Sequence, residues 1–147
     1  MDKQYLCFKL NNELFVHQVS TVREVMPYIE PTPVPGSPDI IEGVLNVRGN
    51  VVSIISARRL FKLPENQPTK DSCIIIFDTI SNQYGISVDS VDEIVTLNPS
   101  EMNVSSAEEE LSESQFIKGT VKHAKGLLIL VDLSNLIEIE RNTLSTD

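Results

Sequence analysis

The apolar positions of this chain fall in short runs broken by turn residues, and each run has the length and composition of a strand. Two such runs, Cys73–Thr79 and Tyr84–Val88, flank Ser81-Asn82-Gln83, a turn sequence, and the set predicts a hairpin. Near the N-terminus Asn11-Asn12-Glu13 does the same for the first copy of this pattern. Val19, Val22 and Val25 then recur at every third position, which predicts a short helical turn passing into a strand near Val25. Further on, Gly43–Val47 and Val51–Ile55 read as strands joined by Arg48-Gly49-Asn50, where Gly49 supplies positive φ without steric cost. Ser56 is placed to cap a short helix whose Leu60 and Phe61 pack back, and Asp132 stands at the corresponding point late in the chain.

These patterns occur twice. Residues 7–25 align without a gap on residues 76–94, so that Phe8 meets Phe77, Phe15 meets Tyr84, Val22 meets Val91 and Glu24 meets Glu93. Residues 41–60 align on residues 117–136, so that Gly43 meets Gly119, Ile54 meets Leu130 and Leu60 meets Leu136. The chain therefore reads as one domain over residues 5–141, made of two pseudo-repeats at about 5–63 and 72–138, with a polar tail at 142–147. Whether strands are exchanged between the two units is left open by the pattern. About five short strands per unit suits a small closed barrel, which hides its sheet edges. Between the strands of the first unit lies Pro27–Pro38, with five prolines in twelve residues, a stiff surface connection. Its counterpart, Asn98–Ser114, is acidic and contains Glu108-Glu109-Glu110, with a short helix expected near its end.

Composition narrows the function more than the fold. At 147 residues the chain needs neither metal nor disulfide to fold, and its two cysteines, Cys7 and Cys73, sit in strand patterns as reduced, buried thiols. No apolar run approaches the roughly 20 residues of a membrane helix, and Met1–Gln4 leads straight into a strand pattern with no signal peptide. The net charge of -9 argues against nucleic acid. Eight acids and no Lys or Arg lie between Asp89 and Glu113, whereas Arg48, Arg58, Arg59 and Lys62, then Lys118, Lys122 and Lys125, form two basic stretches. These are ordinary solvated faces or, on a sharper reading, one mildly basic docking surface.

No pattern points to catalysis. The six glycines form neither a phosphate-cradling loop nor a nucleophile elbow. His17 and His123 have no second ligand at metal spacing, so each reads as a surface or packing residue. Asp89, Asp92 and Glu93 read as a wet face on a helical turn. Glu24 and Glu93 recur at matched positions, which favours a fold role over a general base, and no nucleophile accompanies either. Arg48 differs: its counterpart in the second repeat is Ala124, so the fold does not demand an arginine there, and its planar fork suits a partner's carboxylate or carbonyl oxygens.

The segment Gly43-Val-Leu-Asn-Val-Arg-Gly49 resembles the G-V-x-N-x-R-G signature of CheW domains, the coupling proteins of bacterial chemotaxis. The opening hairpin with Val19-x-x-Val22-x-Glu24-Val25, and Gly119 with Leu128–Leu133, resemble the same family, so the likeness spans residues 5 to 140. It departs at Ser53 and Ser56, where the family pattern has proline and aspartate, and at Val16, where glycine is common. The resemblance implies two packed SH3-like five-stranded barrels with short helices and no enzymatic activity, cofactor or metal. It implies binding to the regulatory domain of the histidine kinase CheA and to the cytoplasmic tip of chemoreceptors, in the cytoplasm at receptor arrays, without membrane insertion. The receptor groove, carried over by motif position, comprises Val22, Gly43, Asn46, Arg48, Val88 and Val91, with the apolar members burying a receptor helix. No receiver or kinase sequence is present, so neither the fused CheV type nor CheA itself is expected. Two alternatives remain: a paralogue serving surface motility or array positioning, and a small-molecule (purine) binder.

Overall fold

The computed structural model describes residues 2–79, 82–98, 100, 103–104, 116–134 and 136. The tail at 142–147, Ser81 of the second hairpin turn, and Glu108–Glu110 with the helix expected after them lie outside these residues. The first repeat supplies β1 (Lys3–Leu10), β2 (Glu13–Gln18), a single 3-10 turn at Val19–Thr21, β3 (Val22–Pro27), β4 (Ile41–Val47), β5 (Asn50–Ser56) and helix α1 (Ala57–Leu60). The second supplies β6 (Cys73–Asp78), β7 (Gln83–Val88), β8 (Ser90–Leu97), β9 (Asn103–Val104), β10 (Ile117–His123) and β11 (Gly126–Val131). The fold is mainly β, as the alternating short runs imply.

The strands form two sheets, ordered β3-β6-β7-β5-β4 and β8-β1-β2-β11-β10-β9. Position by position these orders are equivalent, but each repeat's opening hairpin is exchanged. The hairpin β1–β2 joins the second repeat's strands, and β6–β7 joins the first's. The exchange is made by one parallel pairing per module: Ile54 lies beside Gly85, and Leu130 beside Val16. Register shifts also recur at matched places, Val22/Glu24 with Leu6/Phe8, and Ile41/Gly43 with Ile117/Gly119. In the proline-rich connection Thr32 bridges Val44, lashing the exit of β3 to β4.

The exchanged hairpins have continuous apolar runs because both of their faces are buried. In β1, Tyr5 and Cys7 face the interior of the second module with Val16, Val95, Leu97, Val121 and Leu128. Leu6, Phe8 and Leu10 face a core shared between the modules. In β6, Ile74 and Ile76 face the first module's interior, while Ile75 and Phe77 enter the shared core. There Phe8 stacks on Phe15 with centroids 5.6 Å apart, and the repeat-related Phe77 stacks on Tyr84 at 5.5 Å. Full burial of each such ring contributes about 1.5–3 kcal/mol. Position 16 can be valine while its counterpart stays glycine. A Cβ on Gly85 would stand 2.7 Å from Ile54 Cδ1 and 2.9 Å from Ile74 Cγ2, because three isoleucines fill that side of the first module.

Local details refine the sequence reading. Asn11 and Asn12 both take positive φ (53° and 72°) in a two-residue hairpin turn, and Glu13 already belongs to β2. The turn after β4 is likewise two residues, Arg48 and Gly49 (φ 51° and 89°), with Asn50 opening β5. The valine triplet's helical turn ends at Thr21, and the strand begins at Val22 rather than near Val25. Ser56 Oγ accepts from Arg59 N at 3.1 Å, as a helix cap should. Replacing Ser56 by alanine is expected to cost about 1 kcal/mol, read as a lower urea midpoint. Asp132 instead accepts from the N–H and hydroxyl of Ser134, closing a local turn, and most of the helix expected after it lies outside the described residues.

Candidate protein-interaction site

The signature strand and turn explain themselves through backbone geometry at most of their positions. Gly43 is buried, and a Cβ there would meet Thr32 O at 2.3 Å. The two chains are held that close by Thr32 N to Val44 O and Val44 N to Thr32 O, both 2.9 Å. Asn46 Oδ1 accepts from Gly49 N at 3.0 Å, closing the turn, and Gly49 takes the left-handed conformation that turn requires. The side chain of Arg48 is left facing outward, 68% exposed.

Arg48 is not unpartnered. Its Nε and an Nη reach the two oxygens of Glu24 at 3.1 and 2.7 Å, a bidentate fork. This pairing holds the Glu24 carboxyl below the usual carboxylate range and raises Arg48. The second module contains the equivalent bridge, displaced by one residue: Lys125 Nζ lies 3.0 Å from Asp92 and 3.2 Å from Glu93, the counterpart of Glu24. Ala124 therefore does not mark a turn without a cation, because Lys125 beside it supplies one. A cation at this turn occurs in both modules; what is particular to the first is the arginine fork at an exposed tip.

The other expected residues lie elsewhere on the molecule. Val88 is buried in the shared core, and Val22 and Val91 are half-buried against it from β3 and β8. Val22 pairs across to Phe77 and Val91 to Phe8, so the two valines are related by the repeat. Arg48 joins this neighbourhood only through Glu24, two residues after Val22. Outside the expected set, four of the six exposed large apolar side chains among the described residues also form repeat-related pairs, Val25 with Ile94 and Val51 with Leu127.

The carboxylates read as a wet face on a helical turn stand instead at and within strand β8, and one of them, Asp89, is half-buried. Arg58, 12% exposed, sends Nε and an Nη to Asp89 at 2.9 and 2.6 Å, and Asp89 also accepts from Asn11 N at 2.8 Å. Burial raises the Asp89 carboxyl, but these donors outweigh it and hold the group below its ordinary value. The pair lines a cleft of about 330 Å³ with Glu42, Ser87 and Tyr28, where Glu42 accepts from the Tyr28 and Ser87 hydroxyls. The repeat-related cleft, about 210 Å³, has Lys118, Gln18, Ser20 and Ser134 in place of Glu42, Ser87, Asp89 and Arg58. The sequence signal that could have found Arg58 and Asp89 was the repeat itself: both are charged where the other copy has serine.

The basic stretches do not gather into one free cationic surface. Arg48, Arg58, Arg59 and Lys125 each neutralise a carboxylate. His17 is a packing residue, 3% exposed. Its Nδ1–H donates to Gln18 O at 2.9 Å, and its Nε2 accepts from Leu133 N at 2.9 Å. His123 Nδ1 accepts from Lys125 N at 3.2 Å. Among the described residues no group of three or more His, Cys, Asp or Glu could hold a metal, and no helix is long and apolar enough to cross a membrane.

A family model described as a CheW-like domain matches residues 4–141. The chain is 28% identical over 138 residues to the chemotaxis protein CheW of Bacillus subtilis, covering 94% of this chain and 88% of that one. It is 24% identical to the CheW of Thermotoga maritima over 135 residues, 92% of this chain and 87% of that one. The crystal structure of the scaffolding protein TtCheW from Thermoanaerobacter tengcongensis superposes with a TM-score of 0.80 at 27% identity, covering 94% of both chains.

Proposed function

Because the chain belongs to the CheW-like family, whose members are scaffold proteins of chemotaxis and not enzymes, we propose that it couples chemoreceptors to the histidine kinase CheA. In this role it acts in the cytoplasm at receptor arrays, binding the regulatory domain of the kinase and the cytoplasmic tip of the receptor without turnover. The observation that carries the reading is the pairing of two features around the shared core. Half-buried Val22 and Val91 flank that core from the two modules, and an arginine fork projects from a rigid turn tied to the Val22 strand through Glu24. An amphipathic receptor helix offers an apolar face to the valines and a polar residue to Arg48, in the helix-in-groove manner. Gly43 and Asn46 serve this site by fixing the turn, and Val88 by supporting the core beneath it.

Arg48→Glu tests the assignment. The substitution places two carboxylates face to face at the tip while leaving Asn46 and Gly49 to hold the turn, so the fold is expected to persist. Affinity for a receptor-tip fragment, measured by calorimetry, is expected to fall about tenfold. Unchanged binding to both receptor tip and kinase regulatory domain would remove Arg48 from the site.

A further inference from the structure

Asp89 gathers donors from parts of the molecule that are otherwise separate. It lies between Val88, in the shared core, and Val91, at its edge. Its carboxylate accepts the Arg58 fork from α1, which the first repeat supplies, and the N–H of Asn11 from the exchanged β1–β2 turn. Its own N–H donates to Lys9 O at 3.1 Å. Arg58 is itself fixed from behind. The cap at Ser56 sets the start of α1, and the helix ends in a reversed turn with Lys62 at φ 60°, Lys62 N bonded to Arg59 O and Leu63 N to Arg58 O. A further Arg58 N–H donates to Pro64 O. Every arm of the guanidinium is thus committed, and the side chain has no freedom to follow a displaced partner.

The repeat supplies a control. Glu24–Arg48 has a counterpart in Glu93–Lys125, so an ion pair at that place is part of how each module is built. Arg58 and Asp89 have none, since Ser134 and Ser20 occupy their positions in the other copy and cannot form an ion pair. The second module folds on the same topology without the charges. A half-buried, bidentate pair that the fold does not require is explained better by what it holds in place than by stability, because partly desolvating two charges offsets some of their attraction.

We propose that Arg58 and Asp89 are positioning residues: a clamp across the module junction that fixes the Val88–Val91 segment in the shape that receives the receptor helix. This rests on the functional reading above and deepens it, since the clamp joins both modules to the site without contacting the partner. Loss of the clamp leaves Val88 and Val91 present but free to shift, so binding energy goes into ordering them.

The test uses the full chain with Asp89→Asn, which is isosteric but places donors against donors, and Arg58→Lys, which keeps the charge but not the fork. Calorimetry gives affinities for a receptor-tip fragment and for the kinase regulatory domain. Methyl spectra of the free protein report on Val88 and Val91. Expected for Asp89→Asn are a loss of about tenfold in receptor-tip affinity, kinase affinity within about twofold, and displaced Val88 and Val91 methyl signals, with Arg58→Lys intermediate. A merely structural role would lower both affinities together, and that result overturns the proposal, as does receptor-tip affinity held at the wild-type value. If the wild-type chain binds no receptor tip, the functional reading fails, and the methyl signals alone decide: displaced signals keep the clamp, unmoved signals overturn it.

Discussion

Gly43→Ala is expected to lower the stability of this protein by about 3 kcal/mol or more, a large share of what a domain of this size possesses. The added methyl carbon would stand 2.3 Å from Thr32 O and 2.6 Å from Thr32 C, and both are backbone atoms. A flexible side chain could swing aside at small cost, but here relief requires separating Thr32 from Val44. That breaks two hydrogen bonds of 2.9 Å and releases the proline-rich connection from β4. A fall in thermal midpoint and in urea midpoint measures the effect. The result bears on function as well as fold. A Gly43 variant that fails to bind a receptor has lost the strand that carries Asn46 and the Arg48 turn, so lost binding would say nothing about direct contact at position 43. Melting temperature recorded beside affinity separates the two. A Gly43→Ala protein as stable as wild type would show that the approach of Thr32 is not obligatory.

Acidification is expected to weaken the protein through His17, and His17→Leu to remove that dependence. The backbone N–H of Leu133 can only donate, so Nε2 must be bare and the ring is neutral with its proton on Nδ1. Burial is the main cause holding His17 below its ordinary value. The bond to the Gln18 carbonyl and the charge of Asp132, whose Oδ1 is 3.9 Å from Nε2, offset this in part. Asp132 stands near the ring and Phe77 packs against it with centroids 4.9 Å apart, while Lys118 and Tyr5 line the same cleft as His17. Below the ordinary imidazole value of about 6.5 the unfolded chain takes a proton that the folded ring resists. Stability therefore falls as pH drops, by up to about 1.4 kcal/mol per pH unit until the lowered folded value is reached; above about pH 7 both states are neutral. Asp89 and Asp132 act in a separate window. Their lowered values stabilise above the ordinary carboxylate range and lose that contribution only as pH falls through it.

His17→Leu leaves Leu133 N–H buried without an acceptor, which costs about 2 kcal/mol at pH 7.5. Leucine itself is tolerable there, because the repeat-related position holds Ile86. What is lost is a tie between the exchanged hairpin and the second repeat's own strands. Leu133 is gripped at its N–H by His17 of β2 and at its carbonyl by the Tyr84 hydroxyl of β7 at 2.5 Å. Urea midpoints for both proteins between pH 7.5 and 5 test the prediction. A slope that persists in the variant would place the acid sensitivity elsewhere.

Much of this architecture was legible in the residues. Repetition of Phe8 and Phe15 as Phe77 and Tyr84 revealed the two units, because identical core positions demand similar side chains. Asn11-Asn12 and Arg48-Gly49 marked the tight turns, where residues tolerant of positive φ are needed, and Ser56 marked a helix start. The family signature was legible for a related reason: Gly43, Asn46 and Gly49 answer to local backbone requirements, and such requirements are written into sequence.

Charge pairing was not legible in that way. Sequence pattern places Arg58 in a basic stretch and Asp89 on a wet face, although they form one half-buried pair across 31 positions. Lys125 took the place of an absent arginine from one residue away, and His17 met Leu133 across 116 positions. Hydrophobic pattern and turn chemistry depend on neighbours within a few residues, so the sequence by itself determined the strands, the turns, the repeat and the family. Hairpin exchange, the shared core and the identity of each charge's partner depend on which strand lies beside which. Those contacts are long-range and are decided only once the sheets close on each other, and it is there that the tertiary structure turned Arg58 and Asp89 from two surface residues into a clamp.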